Sequence, residues 1–139
     1  MNRTDLQQLA EERVRDAKAL LDAACWSGAY YLVGYAVECA LKACIAKQTD
    51  QHDFPDKARV NDSYSHDLRK LVKVAGLEAP FDQDILKVPA SQLALNWQTV
   101  KDWSEAARYE TASEVKAREM YEAVADGNEG VLAWIRRHW

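Results

Sequence analysis

A chain of 139 residues has the length of one ordinary domain, so we expect a single domain over residues 1–139 with one compact core. Hydrophobic residues make up 48% and charged residues 29% of the chain, a balance that excludes the disordered and collagen-like classes. The formal net charge of −4 excludes long-range attraction of the whole molecule to polyphosphate, so any nucleic-acid contact is expected at a local patch.

The N-terminal third predicts two helices. Over residues 5–24, apolar side chains recur at helical spacing with charges on the opposite face, and Thr4 or Asp5 is expected at the N-cap. A second helix is predicted from about Ser27 to Lys47. Because this segment is apolar on nearly every face, we expect it to be the central helix of the core.

The same region bears on the cellular location of the protein. The opening "MNRTDLQQLAEERVRD" lacks the apolar core of a secretory signal, so cytoplasmic residence is expected. The second helix approaches the length of a membrane span, but Glu38 and Lys42 would each cost about 2.5–3.5 kcal/mol at the centre of a span, which favours a buried helix and no membrane. Cys25, Cys39 and Cys44 lack metal-ligand spacing, so reduced thiols and no metal site are predicted.

The middle of the chain predicts a loop and a short helix. Residues 49–65 are polar, contain a proline and show no sustained period, which indicates a long loop. The short helix "HDLRKLVKVAG" follows over residues 66–76, with Ser65 as its cap, Asp67 in its first turn and Gly76 at its end.

The C-terminal part predicts two more helices. "PFDQDILKVP" is expected to form a helical turn, after which Pro89 suits the first turn of a helix over about residues 90–107. Residues 111–114, "TASE", form a capping box that starts the last helix. Gly127 and Gly130 either break or kink this helix, and the sequence leaves both open. No stretch alternates like a strand, so the predicted fold is all-α, an up-and-down bundle of four main helices plus short helices.

One line of polar side chains runs along the apolar second helix. Tyr31, Tyr35, Glu38 and Lys42 occupy positions i, i+4, i+7 and i+11 and therefore share one narrow stripe. Two interpretations are open: an ion pair of Glu38 with Lys42 on a partly exposed seam, or a polar cleft that faces a ligand or a partner. The side chains that would converge on such a cleft are His66, Asp67, Asn96, Arg108 and Tyr109.

This helix resembles the signature helix of HEPN domains (higher eukaryotes and prokaryotes nucleotide-binding). The residues of "GAYYLVGYAVECALKACI" that match its pattern are Ala36, Glu38, Leu41 and Lys42. "SHDLRKL" at residues 65–71 resembles the His-Asp-Leu helix start of the family, and "EAARYE" at residues 105–110 resembles its Arg-Tyr segment before the last helix. The three motifs span most of the chain in the expected order.

The resemblance implies a helical bundle, commonly a homodimer, that binds a nucleotide or RNA. No cofactor is expected. The ligand-binding residues predicted on this basis are Tyr31, Tyr35, Glu38, Lys42, His66, Asp67, Arg108 and Tyr109.

Two alternatives follow from the same family. Some members are metal-independent ribonucleases in which an arginine shortly precedes a histidine, and six residues separate Arg59 from His66 here. In a nuclease, His66 would take the proton of the 2′-hydroxyl, and Arg59 or Arg108 would stabilise the charged phosphorane. Other members work beside a small nucleotidyltransferase as toxin and antitoxin; that partner would be a separate chain, because its signature is missing here. In the second alternative the protein is therefore purely an interaction subunit.

Overall fold

The structure, a computed structural model, describes residues 1–49 and 56–139. Within these two ranges the chain forms helices and no β-strand, which confirms the all-α class. The α-helices are α1 (Arg3–Asp22), α2 (Trp26–Gln48), α3 (Lys57–Ser63), α4 (Leu68–Val74), α5 (Glu78–Phe81), α6 (Gln92–Val100), α7 (Glu114–Ala125) and α8 (Val131–Arg136). A π-helical turn spans Asp82–Leu86, and a 3₁₀ helix spans Glu105–Tyr109.

The first helix begins two residues earlier than predicted. Asn2, rather than Thr4 or Asp5, is the N-cap, because its side chain accepts the Asp5 N–H at 2.9 Å while the Asp5 carboxylate accepts the Asn2 N–H at 3.1 Å. This reciprocal capping box satisfies two amides that would otherwise lack a partner.

A tight turn at Ala24 joins α1 to α2. The Cys25 N–H donates to the Leu20 carbonyl at 2.8 Å, and the Ala24 N–H donates to the Leu21 carbonyl at 3.0 Å. This Schellman pattern requires a left-handed residue, and Ala24 adopts φ 61° although it carries a Cβ. The strained turn returns the chain along α1, so that the two longest helices pack against each other.

The second helix is the centre of the core, as predicted, and its ends agree with the prediction to within one residue. It packs against α1, α4, α7, α8 and the 3₁₀ helix. Among the described residues it is the one helix long and apolar enough to cross a membrane by length and composition, and 72% of its most apolar 18-residue window is buried inside the fold. The core helix of a globular protein meets the same criterion.

The segment predicted as a loop contains the helix α3. Asp56 caps it by accepting the Ala58 N–H at 2.9 Å. The helix buries no side chain, so its sequence lacks the apolar spacing of a helix that packs on a core. Residues 50–55 of the predicted loop lie outside the described residues.

Helix α4 is shorter than predicted. Its N-cap is Asp67 rather than Ser65, since the Asp67 carboxylate accepts the Lys70 N–H at 3.0 Å. Ser65 instead accepts the Asp67 N–H at 3.1 Å and so supports the cap from outside the helix. Gly76 ends the helix with φ 74°, as predicted.

The predicted helix over residues 90–107 is two helices. Ser91 caps α6, so Pro89 precedes the helix rather than occupying its first turn. The helix stops at Val100, and the chain is extended at Ser104 before the 3₁₀ helix begins. The buried Trp103 lies in this connection, so tertiary packing interrupts the helical period.

The last predicted helix is also divided. Ser113, not Thr111, is the N-cap of α7, because its hydroxyl accepts the Lys116 N–H at 3.1 Å. Of the two alternatives, a break or a kink, the structure shows a break. The Asp126 side chain accepts hydrogen bonds from two backbone amides of the turn, and α8 begins after Gly130. A Cβ at Gly130 would overlap backbone atoms of the turn, so only glycine fits there.

Candidate functional site

The polar stripe of α2 has two different halves. In the first, the rings of Tyr31 and Tyr35 stack with centroids 6.2 Å apart. In the second, the Lys42 ammonium lies 3.3 Å from Oε2 of Glu38. The Glu38 side chain is only 3% exposed, whereas that of Lys42 is 21% exposed. The stripe therefore runs from a stacked aromatic pair to a carboxylate that is almost fully buried.

His66 joins this buried carboxylate to a surface carboxylate. Its Nδ1 lies 2.9 Å from Oε1 of Glu38, and its Nε2 lies 3.1 Å from Oε2 of Glu105. A neutral imidazole carries one N–H and donates to one of these oxygens, whereas a doubly protonated ring donates to both. His66 directly precedes Asp67, the N-cap of α4, so the start of that helix fixes the position of the ring.

These contacts explain why the most apolar helix contains a carboxylate. A buried ion is costly unless its oxygens are paired and hydrogen-bonded, and both oxygens of Glu38 have such a partner. One partner comes from α2 itself and the other, His66, from the segment before α4. Glu38 therefore ties the central helix to the short helix packed beside it.

Arg108 approaches the same place from the 3₁₀ helix. Its Nη2 donates to the Tyr31 hydroxyl at 3.2 Å and lies 3.9 Å from Oε2 of Glu105. Its guanidinium carbon lies 5.6 Å from the centroid of the Tyr31 ring and 5.7 Å from that of Tyr109, so it is in cation–π range of both. Tyr109 is 84% exposed. An exposed aromatic ring therefore flanks the guanidinium.

Trp103 holds the 3₁₀ segment against α2. Its indole is 2% exposed and stacks on Tyr31 at 6.0 Å between centroids. It lies so close to Gly34 that a Cβ at that position would overlap the ring. The absence of a side chain at Gly34 therefore allows the segment that carries Glu105 and Arg108 to reach the polar stripe.

Three candidate residues lie elsewhere or have another role. Arg59 Nη2 donates to the Gln48 side chain at 2.8 Å. Gln48 is ten residues beyond Glu38 in α2, about 15 Å along the helix axis, so the structure does not bring Arg59 to His66. Asn96 donates to the Glu129 carbonyl at 2.7 Å and does not join the stripe. The carboxylate of Asp67, as described, caps α4.

Sequence reasoning missed Glu105, Trp103 and Gly34. Glu105 precedes Arg108 by three positions, and this spacing places two side chains on the same side of a helical turn. That signal was available in the sequence. The contact of Trp103 with Gly34 joins distant parts of the chain and leaves no local pattern.

Two neighbouring polar groups of α2 resist ionisation above neutral pH. Desolvation raises the pKa of Tyr35 to about 12 and that of Cys39 to about 11. All three cysteines are free thiols; Cys25 is exposed, whereas Cys39 and Cys44 are buried. In the described part of the chain, no group of three His, Cys, Asp or Glu side chains is arranged to hold a metal ion.

Comparison of the chain with protein-family models, with curated proteins and with solved structures finds no match. Function is therefore inferred from the side-chain geometry around His66 and Arg108 and from the sequence resemblance to HEPN domains. The geometry bears on the class of ligand, and the resemblance bears on the biological setting.

Proposed function

We propose that this protein is a HEPN-like bundle of four main helices that binds a nucleotide or an RNA segment through its phosphate. The binding site, which we call the anion cluster, consists of His66, Glu105 and Arg108, with Tyr31 and Tyr109 beside them. One observation carries the proposal: Oε2 of Glu105 lies 3.1 Å from His66 Nε2 and 3.9 Å from Arg108 Nη2. A carboxylate oxygen thus occupies the point on which donors from two separate elements converge, and a phosphate oxygen has the same charge and hydrogen-bonding character.

The exposure of these side chains suits an external ligand. The side chains of His66 and Arg108 are 43% and 48% exposed, so a ligand in solvent can reach the hydrogen-bond donors of both. Arginine presents its donors in a planar fork that matches phosphate oxygens. The exposed ring of Tyr109 supplies a face on which a base can stack, and stacking of this kind tolerates any base.

Glu105 would have to leave this position when a phosphate binds. Its side chain is 49% exposed, and it belongs to a 3₁₀ helix of only five residues. Exposed ion pairs of this kind contribute about 0–1 kcal/mol, so displacement costs little. Glu105 therefore acts as an internal competitor that weakens binding without preventing it.

The proposal is tested by titrating fluorescein-labelled single-stranded RNA, and separately a labelled adenine nucleotide, with the protein in fluorescence anisotropy. We expect Arg108→Gln to weaken binding about tenfold or more, because a charge-assisted bond is lost. Lys42→Ala weakens binding less, since its ammonium contributes charge from a neighbouring position. Glu105→Gln strengthens binding about twofold to fivefold, because the competing charge is removed.

Arg118→Gln is the matched control. Arg118 is also half-exposed, also pairs with a nearby glutamate, and also lies over an aromatic ring, that of Trp26. It contributes nothing to the anion cluster, so its replacement should leave affinity unchanged. Absence of binding in both the wild type and Glu105→Gln would refute the proposal, as would equal losses in the two arginine variants.

A second candidate function, a metal-independent ribonuclease, is favoured by the same convergence. An imidazole nitrogen and a guanidinium approach one anion position, which is the arrangement that a base and a charge-stabilising group require. The pair would be His66 with Arg108, not Arg59. RNA incubated with the protein in EDTA should then be cleaved by the wild type and by Arg59→Ala but not by His66→Ala. Cleavage retained in His66→Ala would argue against this function.

The family resemblance also supports proposals on assembly and location. We propose a cytoplasmic homodimer, which light scattering coupled to size-exclusion chromatography would measure directly. A nucleotidyltransferase or antitoxin partner, as expected for an interaction subunit, should co-purify with the tagged protein from its natural host. A monodisperse chain without a second protein would count against that partner.

A further inference from the structure

A second cleft, of about 390 Å³, lies where the end of α6, the connection after it and α7 meet. Tyr30 of α2 contributes to its wall, and the charged side chains that line it are Asp102, Glu110, Lys116 and Glu119. Its volume is in the range of small-ligand sites. None of these side chains belongs to the anion cluster.

The cleft carries an excess of negative charge. Three carboxylates line it against a single ammonium, so their formal sum is −2. In the described part of the chain, Asp102 pairs with Lys101 at 3.0 Å, while Glu110, Glu119 and Lys116 have no oppositely charged group within 4 Å. The Lys116 ammonium instead lies 4.7 Å from the centroid of the Tyr30 ring, a cation–π contact. The cleft thus already places one ammonium group on an aromatic surface.

Tyr30 also presents an unused hydrogen-bonding group. The residue is only 8% exposed, yet its hydroxyl makes no hydrogen bond to any of the described residues. Burial is the main cause that raises the pKa of Tyr30, and the nearby carboxylates of Glu110 and Asp102 raise it further. The hydroxyl is therefore neutral and lies close to both charges. The hydroxyl oxygen is not among the solvent-inaccessible polar atoms, so it faces the cleft as a free acceptor for a donor bound there.

The end of α6 adds backbone acceptors. Gln98 and Thr99 of its last turn line the cleft. The amides that follow donate elsewhere, Lys101 to the Trp97 carbonyl and Trp103 to the Val100 carbonyl, so the carbonyls of Gln98 and Thr99 receive no backbone hydrogen bond from the described residues. The C-terminal end of a helix carries partial negative charge and favours a cation.

We propose that this cleft binds an organic cation that carries N–H donors, namely a primary amine or a guanidinium. The cation lies between Asp102 and Glu110, donates to the Tyr30 hydroxyl and to the free carbonyls of α6, and displaces the Lys116 ammonium from the ring. Its source is either a free diamine or a lysine or arginine side chain of another protein. This inference is independent of phosphate binding at the anion cluster.

Isothermal titration of the full chain with putrescine, N-acetyl-lysine methylamide or N-acetyl-arginine methylamide tests the proposal and distinguishes the sources. Saturable binding of putrescine alone identifies a free diamine, and binding of the capped amino acids identifies a protein side chain. Tetramethylammonium, a cation without N–H groups, should bind at least about fivefold more weakly than the amine that binds best.

Four variants make the test specific. Glu110→Gln should weaken binding about fivefold, because one of the carboxylates that face the cation is neutralised. Tyr30→Phe, which keeps the ring and removes the hydroxyl, should weaken it about threefold. Lys116→Met should strengthen it, because the internal competitor is lost. Glu122→Gln, an exposed carboxylate of α7 outside this cleft, is the matched control and should change nothing.

Several results would overturn the proposal. The first is a lack of saturable binding in both the wild type and Lys116→Met. The second is unchanged affinity in either Glu110→Gln or Tyr30→Phe. The third is an equal loss in Glu122→Gln, which would mean that the cation responds to net charge rather than to this cleft.

Discussion

Removing Glu38 should cost less stability than removing its two partners. Glu38 is 3% exposed, whereas Lys42 and His66 are 21% and 43% exposed. In Glu38→Gln, both partners can turn to water, and the loss is the difference between charge-assisted and neutral hydrogen bonds, about 1–3 kcal/mol. In the double variant Lys42→Met/His66→Ala, the carboxylate remains buried without a cation, and the expected cost is about 3–5 kcal/mol.

Urea unfolding followed by far-UV circular dichroism measures both values, provided that the m-value is unchanged between variants. A third variant, Glu38→Met/Lys42→Met/His66→Ala, removes the whole group and should be more stable than the double variant, because no buried charge is left. The reasoning is refuted if Glu38→Gln loses more stability than the double variant, or if the triple variant recovers none of the loss.

Three further predictions concern the backbone and the thiols. Ala24→Gly should raise the free energy of unfolding by about 0.5–1 kcal/mol in urea, since Ala24 occupies a left-handed turn; a loss would mean that the turn is not strained. Gly34→Ala should lower the melting temperature, with a cost of about 1–3 kcal/mol, because its Cβ overlaps a buried indole. Gly28→Ala in the same helix meets only a flexible leucine end, so it should be nearly neutral, and equal effects would contradict this account. Burial raises the pKa of Cys39 and Cys44 to about 11, so unfolded thiols ionise above pH 9 while folded thiols keep their protons. Stability should therefore fall between about pH 9 and 11, by at most about 3 kcal/mol per thiol, and less steeply in the Cys39→Ala/Cys44→Ala variant; parallel profiles would show that the thiols are not responsible.

The features predicted correctly from the sequence are those set by local pattern. The ends of α2 agree with the prediction because its apolar run is bounded by polar residues, and the side chains of its polar stripe meet because helical spacing fixes their direction. Gly76 was identified because a helix end in the left-handed region favours glycine.

The features that were missed depend on contacts between distant residues or on weak local signals. The long helix predicted over residues 90–107 is interrupted because Trp103 docks on Gly34, and no local period records that contact. Helix α3 buries nothing and so lacks the apolar spacing that would reveal it. The pairing of Arg59 with His66 satisfied a spacing rule, but the chain directs Arg59 towards Gln48 instead.

The contact of Trp103 with Gly34 positions residues on both sides of Trp103 in the chain. The segment that follows it presents Glu105 and Arg108 to one side, while Asp102 and Glu110 line the other cleft. The positions of the proposed anion cluster and of the proposed cation cleft thus both depend on one indole that packs against a residue without a side chain. A mutation that displaces this ring is therefore expected to weaken both proposed sites together.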